Sequence, residues 1–109
     1  MQRSKILSYI GFAKKSGNLR TGVNGIAATK GACLLILCSS AAQNTVAEAE
    51  KLARKFGCPL AVSYISVEEI TGKSNCKLMA LTDKELAGAI IQNIKTDENF
   101  TLKSGGCKE

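Results

Sequence analysis

The sequence contains no histidine. Without an imidazole, the Ser-His and Cys-His nucleophile pairs used by many hydrolases are excluded. A zinc site would need thiolates or carboxylates alone, and the five cysteines do not favour one, because no two of them are separated by two residues. We therefore expect no metal and no cofactor, and we interpret the thiols as reduced residues of the core.

Long apolar runs are also missing. No apolar stretch approaches the roughly 18 residues that cross a bilayer. The basic N-terminus leads into an amphipathic segment that Gly11 and two lysines interrupt, which is not typical of a signal peptide. We expect a cytoplasmic protein with no membrane partner, and the length of 109 residues predicts one main domain.

Acidic residues are absent from the first 47 positions. Those positions hold six cations, whereas residues 48–109 hold nine cations and nine acids, so the first part carries the whole net charge of +6. Such asymmetry is typical of chains that bind nucleic acid or another anionic surface. The alternative is a solvated basic face with no partner.

Amphipathic segments alternate with short apolar ones. The run at 34–38 is continuously apolar and ends before two serines, which predicts a strand buried on both faces. Helical periodicity and stop signals predict the remaining helices and strands near 3–15, 19–21, 22–30, 44–56, 59–64, 66–72, 78–81 and 83–94.

This order predicts an α/β fold, a three-layer α-β-α sandwich with a small mixed four-stranded sheet. Residues 1–95 would form the α/β domain, and residues 96–109, which show no clear period, a flexible C-terminal tail.

The chemistry of residues 11–30 is that of a surface for a polyanion. This stretch has four cations, four glycines and two asparagines, and no acid. Glycine lets the backbone approach a partner closely, asparagine can both donate to and accept from a base edge, and cations hold phosphates. The candidate RNA-binding residues from this stretch are Lys14, Lys15, Arg20, Gly22, Asn24, Gly25 and Lys30.

Two aromatic residues, Tyr9 and Phe12, lie close to these cations in the sequence. Both are expected on a helix that packs them inward. Because proteins that read single strands rely on exposed stacking platforms, the pattern favours structured RNA over single strands.

An enzymatic alternative involves Cys38. This cysteine ends a buried strand, and a hydroxyl-rich turn then leads into a helix, which is the layout of a cysteine phosphate loop. A phosphatase of that kind has an arginine six positions later, where this chain has Asn44. The alternative interpretation of Cys38 is a core residue at a strand end.

The order and spacing of several segments resemble the kink-turn RNA-binding ribosomal protein family (L-seven-Ae/L-thirty-e type), in particular its small bacterial YlxQ-like members. The resemblance covers about residues 3–94 and is carried by residues 11–19 (GFAKKSGNL), 21–24 (TGVN), 32–38 (ACLLILC), 39–45 (SSAAQNT), 58–60 (CPL) and 82–87 (TDKELA). This chain has Gly25 where the family often has an acid, and Ala28 where it has a lysine.

What the resemblance implies is non-enzymatic binding of a kinked RNA helix with tandem sheared G·A pairs. In the family the start of the second helix enters the widened groove, and a loop before the last strand covers a flipped nucleotide. Carried over, that loop adds Lys73, Ser74, Asn75 and Cys76 to the candidate RNA-binding residues.

We therefore expect a monomeric, ribosome-associated protein whose partner is ribosomal RNA or another kink-turn RNA. The alternatives are a protein-interaction module on the same fold and the phosphate-loop enzyme using Cys38.

Overall fold

The computed structural model of the protein describes residues 5–72 and 76–104. Within these residues, helices and short strands alternate along the chain. The helices are α1 (Lys5–Ser16), α2 (Val23–Ala27), α3 (Gln43–Phe56), α4 (Val67–Thr71) and α5 (Lys84–Ile94). The strands are β1 (Leu19–Thr21), β2 (Leu34–Cys38), β3 (Leu60–Ser63), β4 (Leu78–Leu81) and β5 (Phe100–Ser104).

The strands form one mixed sheet in the order β1-β4-β2-β3-β5. Strands β2 and β3 are parallel, and the other neighbouring pairs are antiparallel. Thr21 pairs with Met79, Leu37 with Leu78, and Cys38 with Ser63. As a result, the carboxyl ends of β1, β2 and β3 meet the amino end of β4 at one end of the sheet.

Alternate residues of the central strand face opposite sides of the sheet, as a strand requires. Leu34 and Ile36 pack against residues of α1, α4 and α5, whereas Leu35 and Leu37 pack against α2 and α3. All five residues of β2 are buried. Because helices cover both faces, the continuous apolar run at 34–38 is accounted for, and the α/β class predicted from the sequence is confirmed.

The prediction of a four-stranded sheet is wrong, because the sheet has five strands. The fifth, β5, lies in the segment predicted to be a flexible tail, and it pairs antiparallel with β3. Phe100 is buried in the cluster around α1 and α5, whereas the next three residues of the strand are exposed. Burial of the Phe100 ring holds this segment against the sheet.

Helix α3 ends as its sequence predicts. Gly57 adopts a left-handed conformation with φ 63° and ψ 37°. The Gly57 N–H donates to Arg54 O at 3.3 Å and the Cys58 N–H to Ala53 O at 3.1 Å, which is the Schellman arrangement. The chain then turns directly into β3, and Cys58 is buried at the turn.

The start of α5 is capped by a side chain. The capping residue is Asp83, whose carboxylate accepts a hydrogen bond from the Glu85 N–H. Thr82 instead donates its hydroxyl to Asn18 O at 3.0 Å and so ties this turn to the end of α1. In the described part of the chain, no helix is both long and apolar enough to span a membrane.

Candidate nucleic-acid interface

The junction between β1 and α2 is built around Gly22. Its φ of 79° and ψ of 152° lie in a region that is essentially restricted to glycine. Its N–H donates to Leu78 O at 2.9 Å, which fixes the junction to the amino end of β4. The chain can therefore leave the outer strand and enter α2 within one residue.

Gly22→Ala is expected to lower the free energy of unfolding by about 1–3 kcal/mol, because alanine is strained in this conformation. No atom lies within 4 Å of an added Cβ, so the loss of stability comes from backbone strain and not from a steric clash. Chemical denaturation measures the change.

The matched control is Gly25→Ala. Gly25 lies inside α2 and also has open space around an added Cβ, but its φ is not positive. Alanine at this helical position is expected to raise stability by about 0.5–1 kcal/mol. Equal effects of the two substitutions would contradict the assigned role of Gly22.

Helix α2 presents two of the candidate RNA-binding residues to solvent. Asn24 and Gly25 are exposed on the first turn, whereas Ile26 is fully buried beneath them. Helix α2 ends at Ala27, which is shorter than the predicted helix to about Lys30, and exposed Lys30 follows in the connection to β2.

Four cations of the first 47 residues are exposed, and within the described residues they form no ion pair with an acid. Lys14, Lys15, Arg20 and Lys30 all lie on the surface. The ion pairs found within the described residues join Lys77 to Glu68 and Lys103 to Glu50, and they involve none of these four cations. The positive charge is therefore available to a partner.

Two of these cations have main-chain contacts that orient them. Lys14 Nζ donates to Thr71 O at 2.9 Å, so it lies at the end of α4, where a positive charge meets the free carbonyls. Arg20 Nη1 donates to Gly17 O at 2.9 Å. This contact does not use the Nε and Nη2 donors of the guanidinium.

The predicted covering loop is described only in part. Lys73, Ser74 and Asn75 lie outside the described residues. Cys76 is 5% exposed, and its thiol donates to Leu78 O at 3.5 Å. Because Cys76 packs in the core beside β4, its side chain does not face a partner, and it is removed from the candidate contacts.

Phe12 corrects a further expectation. It was expected to pack inward, but it is 64% exposed. Ile6, Ile10 and Ala13 form the buried stripe of α1, and Phe12 is two positions from Ile10 and one from Ala13, so it lies off that stripe. Tyr9, in contrast, packs against the core.

The Cys38 turn is a polar cluster at the carboxyl end of β2. Cys38 Sγ lies 3.1 Å from Ser40 Oγ, and Lys77 Nζ lies 3.4 Å from the same hydroxyl and 3.2 Å from Glu68 Oε1. Burial opposes ionisation of the thiol, but hydrogen bonds from Ser40 and Val67 and the charge of Lys77 outweigh it and lower the pKa of Cys38. The thiol itself is buried, at 3% exposure, which does not favour attack on a bound phosphate ester.

The chain is a mixed α/β protein with four exposed cations between Lys14 and Lys30. The chain is similar to the solved structure of a protein with unknown function from Bacillus halodurans C, with a TM-score of 0.72 and 21% sequence identity. The similarity covers 85% of this chain and 99% of that chain, and it shows the fold alone. No family model and no curated protein matches the sequence.

Proposed function

We propose that the protein binds structured RNA of the kink-turn type, without chemical change to it, as part of a ribonucleoprotein such as the ribosome. The observation that carries the proposal is the set of four exposed cations, unpaired with carboxylates in the described structure, on the segments that flank Asn24. The three-layer α-β-α sandwich of the kink-turn family is proposed as the particular form of the fold.

The proposed role of each residue follows from its side-chain chemistry. The cations Lys14, Lys15, Arg20 and Lys30 would hold phosphates, which positions an RNA without reading its sequence. Asn24 would contact a base edge, since its amide both donates and accepts. The open space around Gly25 lets the first turn of α2 lie close against a groove.

A gel-shift assay at low salt tests the proposal by comparing a kink-turn RNA with a plain duplex of equal length. We expect tighter binding to the kink-turn RNA, with Asn24→Ala weakening it about 5- to 150-fold, the range typical of a lost base contact. The double variant Lys14→Ala, Lys15→Ala should weaken binding to both RNAs. The slope of log affinity against log salt should become shallower by about 0.7–0.9 for each phosphate contact removed.

The matched control is a double variant with the same change in charge, Lys51→Ala, Lys95→Ala, because both lysines are exposed and lie outside the proposed interface. It should leave the preference for the kink-turn RNA unchanged. Equal weak binding to both RNAs would reduce the proposal to nonspecific charge attraction. In cell extracts, the protein should sediment with ribosomal particles and leave them at high salt.

A further inference from the structure

The ring of Phe12 is a large apolar side chain on the basic part of the surface. The ring is 64% exposed, and the exposed cation Lys15 lies on the same helix. Two other large apolar side chains are exposed in the described structure, Tyr64 and Leu102, and they lie beside and within β5, at the sheet edge opposite β1.

Local hydrogen bonds join Phe12 to the turn that follows α1. Ser16 Oγ donates to Phe12 O at 2.9 Å, and Asn18 Nδ2 donates to Ser16 Oγ at 3.0 Å. The guanidinium of Arg20 is bound to the same turn through Gly17 O.

Lys15 lies three residues after Phe12, which places it on a neighbouring part of the helix surface. We call Phe12, Lys15 and Arg20 the Phe12 platform. It combines one exposed aromatic face with two cations at the same end of α1.

The charges around the platform favour a polyanionic partner. Two acids lie at the start of α5, which is joined to the turn after α1 because the Thr82 N–H donates to Asn18 O at 2.9 Å. Asp83 there accepts the Glu85 N–H, and neither acid forms an ion pair with Lys15 or Arg20 in the described structure. An exposed aromatic face with cations on the same helix and the following turn suits a nucleotide, whose base stacks and whose phosphates carry the charge.

We infer that the Phe12 platform binds an unpaired nucleotide of RNA, with its base stacked on Phe12 and the flanking phosphates held by Lys15 and Arg20. This inference rests on the proposed function in one respect, that the partner is RNA. It adds a single-stranded contact to a protein whose sequence favours structured RNA alone.

A thermodynamic cycle tests the stacking contact by combining one change in the protein with one change in the RNA. Affinity is measured at low salt for a single-stranded hexanucleotide and for its abasic analogue, each with the unchanged protein and with Phe12→Ala. We expect Phe12→Ala to weaken binding of the hexanucleotide about 5- to 150-fold, the range for loss of one base-aromatic stack. Removal of the bases should weaken binding by the unchanged protein, and Phe12→Ala should then have little further effect.

Two variants serve as controls. Tyr64→Ala removes an exposed ring of similar size, at 59% exposure, and should leave hexanucleotide affinity unchanged. Phe12→Trp should retain binding and, because the chain has no tryptophan, provides a single indole whose emission should be quenched by a stacked base. Thermal unfolding should be alike for all variants, since both rings are exposed.

Two results would overturn the inference: an equal loss of affinity for the normal and abasic strands on Phe12→Ala, or no loss for either. The second would point to a protein as the partner of the ring. If the cycle fails while Asn24→Ala still weakens kink-turn binding, only the stacking inference falls. If the cycle holds while kink-turn RNA and plain duplex bind alike, only the kink-turn proposal falls.

Discussion

Ile36→Ala is expected to lower the free energy of unfolding by about 2–5 kcal/mol, a large part of the roughly 5–15 kcal/mol typical of a small domain. Ile36 is fully buried in the central strand, between Ala61 of β3 and Met79 of β4. Its side chain packs in the cluster that joins α1, α4 and α5 to the sheet, so truncation leaves a cavity where these elements meet.

Urea denaturation followed by circular dichroism measures the change, provided that unfolding is two-state. If the alanine variant does not accumulate, Ile36→Val tests the same position. It should lower the free energy of unfolding by about 0.5–1.5 kcal/mol. Leu102→Ala is the control for loss of an apolar side chain at a position that is 42% exposed. A cost for Ile36→Ala no greater than that for Leu102→Ala would contradict the assignment of Ile36 to the core.

The second large effect is a loss of stability at alkaline pH that depends on Cys58. Burial, together with the neighbouring Cys33, raises the pKa of the Cys58 thiol from 9.0 to about 11. Between these values the unfolded chain releases the thiol proton while the folded chain keeps it. Stability is therefore fully present below about pH 9 and falls by about 1.4 kcal/mol per pH unit as the pH rises towards 11.

Denaturation of the unchanged protein and of Cys58→Ala from pH 8 to pH 11 measures this contribution. The two proteins differ only at position 58, so the difference between the two curves isolates the thiol. The alanine variant should lose less stability with rising pH. Parallel curves would show that the Cys58 thiol ionises alike in the folded and unfolded states.

Much of the fold can be predicted from the sequence because strong local signals agree with the packing. The apolar run at 34–38 coincides with β2, and Gly57 ends α3 at the predicted position. Helix α2 is less predictable: it has only five residues, and it is held by its contact with the core through Ile26 and not by its own propensity.

The missed strand carried a weak signal of its own. In residues 100–103 the sequence Phe-Thr-Leu-Lys alternates apolar and polar side chains, the period of a strand with one face on the core. Four residues beside a glycine-rich end give little statistical weight, and pairing with β3 is a long-range contact that no local pattern specifies.

The candidate site was predicted in part. Exposure of the cations and of Asn24 could be predicted because charged and polar residues are mostly exposed. The contacts of Lys14 with Thr71 and of Arg20 with Gly17 could not be predicted, because they depend on the fold. Exposure of Phe12 could have been found from the stripe of Ile6, Ile10 and Ala13, which leaves the ring outside the inward face. Burial of Cys76 depends on how the loop enters β4.

The two outer strands have a consequence for self-association. An open strand edge can pair with the same edge of a second copy and so extend the sheet between molecules. Here β1 is three residues long and carries exposed Arg20, and β5 carries exposed Lys103. Pairing of two β1 edges would bring their Arg20 side chains together, and this like-charge repulsion disfavours edge-to-edge aggregation through β1.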